Sequence, residues 1–201
     1  MVSSYKIIRE ENGKVIKGKA LTAFIHNGGT YYLTDIIVFE DAMVECWGLE
    51  ALEGFKKAVA RGWVVTTIPE GANVRVSLLA DFTAKKVDCW VNEDDLIKEV
   101  EDEIKRLNGE KTSDAICREI YDRFMVDPTE ELKEALKNAY EAIPEHKRRF
   151  VLGDMDVKDI PIRMIIYGQQ ELENWSHRLV AKSIGIEPLP SINVPEVKKK
   201  T

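Results

Sequence analysis

The feature that most constrains this chain is a single change of apolar period, near Asn92. Before it, β-branched and aromatic residues gather in short runs broken by turn residues. Residues 20–26 lead into Asn27-Gly28-Gly29, and Tyr31 to Phe39 follows. Asn-Gly between two such runs is a hairpin signal, because both turn positions tolerate positive φ. Further runs cover 43–47, 63–68, 74–79 and 87–91. One helical stretch interrupts them at 50–60, where Leu52, Phe55 and Val59 share a face and Gly62 stands at the expected end.

From Asn92 onward the period is helical. Asn92 is a capping residue for a helix whose stripe is Ile97, Val100, Ile104 and Leu107, with Glu101–Lys105 and Asp102–Arg106 pairs expected on its outer face. A shorter helix follows through Ile116, Ile120 and Phe124. Asp127-Pro128-Thr129-Glu130 predicts another start, with Asp127 capping and Pro128 first in the helix, and Pro144 its end. Residues 160–167 read two ways: their composition suits a strand, while Asp159 followed by Pro161 suits a helix start. Residues 169–183 read as one helix with Leu172, Trp175 and Leu179 inward.

Strands first and helices later predict an α+β fold. An antiparallel β-rich half with one inserted helix, 1–91, packs against a helical half, 92–185, and 186–201 is an extended or frayed tail. Together these are expected to form one compact unit. At 201 residues the chain can bury roughly 70% of its unfolded surface without a metal or disulfide.

Composition narrows function by exclusion. There are 29 basic and 35 acidic residues, a net charge of −6, which disfavours nucleic-acid affinity. No basic start followed by an apolar stretch predicts secretion, and no window approaches the ~18 apolar residues of a membrane span. Cys46, Cys89 and Cys117 are an odd, scattered set with no C-x-x-C, so neither a disulfide framework nor a zinc site is expected. A reducing cytoplasm is the expected home, and no cofactor is expected. Gly109-Glu110-Lys111-Thr112 lacks the glycines of a phosphate loop, and no G-x-G-x-x-G occurs.

Val44-Glu45-Cys46-Trp47 recurs as Val87-Asp88-Cys89-Trp90. Alternation places valine and cysteine in the core and the tryptophan on the other face, packed under a helix or flanking a groove. The densest acidic cluster is Asp154, Asp156 and Asp159. Carboxylates two apart can share a hard cation, although glycine and glutamate are missing where a calcium loop requires them. Turn formation is the expected role. Glu173 and His177 are four apart, a spacing that would let the carboxylate orient an imidazole. His26 stands at a hairpin mouth with Asp35 as a conceivable partner. His146-Lys147-Arg148-Arg149 is expected to be a solvated face.

Ala23-Phe24-Ile25-His26-Asn27-Gly28, Tyr31-Tyr32-Leu33-Thr34-Asp35, Cys46-Trp47-Gly48-Leu49 and Gly62-Trp63-Val64-Val65 together resemble an uncharacterised family of bacterial cytoplasmic proteins. The resemblance covers the β-rich half, implies bacterial origin, and carries no site over. The leading expectation is a protein-binding module, immunity- or antitoxin-like, facing a basic partner. Trp47, Trp90 and Trp175 are the expected anchors, with Glu45 and Asp88 as rim charges. The competing expectation is a metal-assisted hydrolase or phosphoryl-transfer enzyme. It would use Asp154, Asp156 and Asp159, with His146 or His177 carrying protons and Glu173 in support.

Overall fold

The computed structural model describes residues 7–153 and 156–198. Asp154 and the terminal Lys199-Lys200 lie outside them. The chain divides into two compact units, Met1–Thr112 and Ser113–Thr201.

The first unit is built on two long strands. β1 (Ile7–Glu11) pairs antiparallel with β2 (Lys14–Asn27), which pairs antiparallel with β3 (Thr30–Phe39). Each hairpin closes through a two-residue turn with both residues at positive φ, Asn12-Gly13 and Gly28-Gly29. That handedness matches the twist of the flanking strands. β4 (Met43–Glu45) and β5 (Leu49–Ala51) extend the sheet beyond β3. β6 (Val64–Val65) pairs with β2. β7 (Asn73–Val76) lies parallel to β3 and forms a hairpin with β8 (Ala80–Thr83). The eight-stranded sheet is therefore antiparallel except at β3·β7.

Register sets what this sheet buries. Leu21 lies opposite Ile36, and Ile25 opposite Tyr32, so Ala23, Ile25, Ile36 and Val38 share one face. Helices α1 (Leu52–Ala60) and α2 (Glu93–Leu107) cover it, adding Phe55, Ala58, Val59, Leu96 and Val100 to the core. The α2 start is doubly fixed. The Asn92 side chain accepts from Asp95 N–H at 2.8 Å, and Glu93 Oε1 accepts from the Thr67 hydroxyl at 2.7 Å and Thr66 N–H at 3.2 Å. The outer-face pairs differ from those expected. Glu101 meets Lys56, while Asp102 and Glu103, both buried, pair one turn on with Lys105 and Arg106.

The second unit is helical: α3 (Ser113–Val126), α4 (Glu130–Ala142), α5 (Glu145–Arg148), α6 (Ile160–Tyr167), a 3-10 helix (Gln169–Asn174) and α7 (Ser176–Ser183). The α4 cap is Thr129, whose hydroxyl accepts from Leu132 N–H at 3.2 Å, two residues beyond the expected Asp127. Residues 160–167 are helical, with Pro161 in the first turn as its start signal implied. Residues 169–183 are not one helix. The chain turns at Trp175, whose extended backbone separates the 3-10 helix from α7, and Leu179 is exposed instead of inward. The described part of the tail, as far as Lys198, runs without helix or strand and packs down: Val194 and Val197 lie on a core of Cys117, Phe124, Leu136, Tyr140 and Ile162, and Lys198 N–H donates to the Pro128 carbonyl at 2.9 Å. No helix among the described residues is long and apolar enough to cross a membrane.

Candidate functional site

The first copy of the valine–cysteine–tryptophan echo forms the tight connection of β4 to β5. Val44 and Cys46 are buried, as alternation requires. Burial, then the neighbouring Glu50 and Glu45, push the Cys46 thiol up, so it is inert packing. Trp47 takes φ +66, the left-handed region, where a bulky residue is an outlier. Its ring lies 4.9 Å from Tyr32 and edge-on to Trp63 at 6.2 Å, and the Trp63 indole N–H donates to the Cys46 carbonyl at 3.1 Å. The Arg75 guanidinium sits 5.6 Å from the Tyr32 ring and grips Asp81 through two bonds of 2.7 and 2.9 Å. Those bonds hold the Asp81 carboxyl below its ordinary range. Trp47 is half exposed (49%), the outermost ring of this cluster.

The second copy has no strand. Residues 85–90 run exposed, so Val87 and Cys89 are not core and Trp90 lies under no helix; its exposure is 86%. The echo is therefore confined to the sequence. Trp90 belongs instead to an apolar series that starts at the tip of the β7–β8 hairpin. Leu78 (107%) and Leu79 (81%) are fully open to solvent, Phe82 and Val87 are exposed, and Leu78 itself has φ +57. Five large apolar side chains thus stand exposed between residues 78 and 90. Glu45 is half-buried on β4 and Asp88 is exposed beside Trp90.

Trp175, in the second unit, is not a surface anchor. It is 7% exposed, packs with Ile160 and Met164, and donates its indole N–H to the Asp156 carbonyl at 2.8 Å.

The two described members of the acidic cluster, Asp156 and Asp159, have different surroundings. Asp154 is outside the described residues, Asp156 faces solvent, and Asp159 is buried, accepting from the Tyr140 hydroxyl at 2.6 Å. Burial, then that bond, push the Tyr140 phenol well above its ordinary range. Glu173 lies on the 3-10 helix, not on the helix of His177, and pairs with Arg178 and Lys182. The Lys182 contact, with help from Arg178, holds its carboxyl below the usual range. His177 instead approaches Asp156 at 3.9 Å, beside the Trp175 ring. His146 is on α5, and His26 stacks flat on Tyr31 at 4.3 Å, four residues along β2 from the Thr22·Asp35 pair. Among the described residues no three His, Cys, Asp or Glu side chains come together to hold a metal ion.

Sequence reasoning missed two features. Arg148 of the basic run is structural: it donates to the Ile143 and Glu141 carbonyls at 2.9 and 2.8 Å, satisfying the last turn of α4. The hairpin tip falls at the end of the apolar run 74–79, and the signal for it is two consecutive leucines, Leu78 and Leu79, at a turn.

Comparison with curated proteins, and with solved structures, gives no match. Two family models do match, and they meet within a residue of the boundary between the compact units. The one described as Domain of unknown function (DUF7639) covers residues 112–187, and the one described as Domain of unknown function (DUF7638) covers residues 6–111. Through that match, which spans the sheet with α1 and α2, the chain belongs to the DUF7638 family.

Proposed function

We propose that this protein is a protein-binding module whose recognition surface is the β7–β8 hairpin and the segment after it. The observation that carries the reading is the exposure of Leu78, Leu79, Phe82, Val87 and Trp90 within thirteen consecutive residues. Single exposed apolar residues are ordinary, whereas a concentration of large ones marks a surface that another molecule covers. β8 supports it further: among the described residues it pairs with β7 alone, so its outer edge offers backbone groups to an added strand. Trp47 supplies a rigid aromatic ring on the same sheet, fixed by Tyr32 and Trp63.

The occupant is a separate protein of net positive charge. The net charge of −6 favours such a partner by long-range attraction, and immunity-like capture of a basic effector in a bacterial cytoplasm fits it. The test compares the wild-type chain with a Leu78→Asn/Leu79→Ser/Trp90→Ser variant, purified natively from the source cell. Asn tolerates the left-handed backbone at position 78. The expected result is a stoichiometric basic chain that accompanies the wild type, is absent from the variant, and rebinds only the wild type after purification. Equal recovery with both chains refutes the surface. Mass measurement that finds only copies of this chain refutes the separate partner.

A further inference from the structure

A basic cleft opens in the second unit where α7 begins. It encloses about 380 Å³, and its charged lining is Arg149, Lys158, Arg163 and Asp159. Three cations and one anion line it, and Glu171, paired with Arg163, stands beside them. The lining carboxylate is already engaged, since Asp159 accepts the Tyr140 hydroxyl. Arg163 is fixed against Glu171, through Nε at 2.8 Å and a second, shorter contact, and forms a rigid wall. Arg149 differs from it: it is exposed and makes no ion pair among the described residues, although it directly follows the structural Arg148. Lys158 stands over the Phe150 ring at 5.3 Å, held at φ +50.

The remaining lining is of two kinds. Asn174, Trp175 and Ser176 bring the start of α7 to the cleft, and no side chain caps that helix, so its first N–H groups add partial positive charge. Ile160, Leu179 and the Trp175 ring make an apolar wall. The Trp175 N–H is spent on the Asp156 carbonyl and the residue is largely buried, so only a small part of its ring faces the cleft.

We propose that this cleft binds a small phosphorylated compound. The phosphate lies between Arg149, Lys158 and the start of α7, and the organic part lies against Trp175, Ile160 and Leu179. A dianion answers two cations that line one cleft and a helix start better than a single carboxylate does, and a cavity of this volume is within the range of small-ligand sites. The site is separate from the recognition surface of the first unit and does not rest on it.

Isothermal titration of the full chain at low salt, with inorganic phosphate and with ADP as probes, tests the proposal. ADP is expected to bind saturably at one site, phosphate more weakly and in competition with it, and added salt to weaken both. Arg149→Ala and Lys158→Asn, the latter tolerant of positive φ, are each expected to weaken ADP by about tenfold or more. No saturable binding of either probe overturns the site. So does unchanged affinity in both variants, or ADP binding that phosphate does not compete away. Circular dichroism confirms that the variants are folded; should Lys158→Asn unfold, the exposed Arg149 variant decides alone.

Discussion

Replacing Tyr140 with Phe isolates one buried interaction. The Tyr140 hydroxyl donates to Asp159 Oδ2 at 2.6 Å, and both residues are buried. A hydrogen bond to a charged group contributes about 1.5–3 kcal/mol, and the variant leaves a buried carboxylate oxygen short of its donor. In a chain of 201 residues each kcal/mol moves Tm by about 2–4 °C, so Y140F should melt about 3–12 °C below wild type at neutral pH. The pH dependence adds a second check. Burial, then Asp159, raise the folded-state pKa of this phenol above the unfolded value near 10. Below pH 10 both states keep the proton. As pH rises past 10 the unfolded chain loses it while the folded chain holds it, and the stability is lost. Phenylalanine has no proton to hold, so the Tm gap between wild type and Y140F should narrow from pH 8 to pH 10.5. Scanning calorimetry reads both quantities. An unchanged Tm at neutral pH, or a gap that ignores pH, would refute the assignment of a strong buried Tyr140–Asp159 bond.

Two further outcomes follow from burial and backbone geometry. Cys89 is exposed while Cys46 and Cys117 are buried, and burial pushes the Cys117 thiol up to about 12. A thiol reagent should therefore titrate one group rapidly in the native chain and three in denaturant; two or more rapid groups would contradict the packing. Trp47→Ala should lose the Tyr32 and Trp63 contacts yet keep the left-handed strain, whereas Trp47→Gly loses the contacts and relieves the strain. Chemical denaturation should find the glycine variant more stable than the alanine variant by about 0.5–1.5 kcal/mol; the reverse order would mean that φ at position 47 is not left-handed.

The fold class was legible because period and caps agree. Asn27-Gly28-Gly29 closes its hairpin, Asn92 caps α2, and Pro161 opens α6. Asn12-Gly13 carries the same signal as the second hairpin, but the polar residues around it hid β1 and half of β2. The short strands β5 and β8 left no trace, since every residue in them is exposed and neither carries a buried apolar face. The expected anchors divide for a physical reason. An aromatic ring packs wherever the chain brings it to a core, and sequence position does not say where that is. Trp47, Trp90 and Trp175 thus end as half exposed, almost wholly exposed and buried. Nothing in the sequence marks the positive φ at Trp47. The basic cleft was also illegible: Arg149, Lys158, Arg163 and Ser176 are spread over 28 positions and meet only through the turn at Trp175.

The proposed recognition surface is formed by residues 78–90. Photo-crosslinking in the source cell tests it directly, with a photoreactive residue placed in turn at Leu79, at Trp90 and, as a control, at the exposed Lys17 of β2. One adduct of common mass is expected at positions 79 and 90, containing a single basic protein, and none at 17. An absence of adducts at 79 and 90, or the same adduct at all three positions, would contradict the proposed surface.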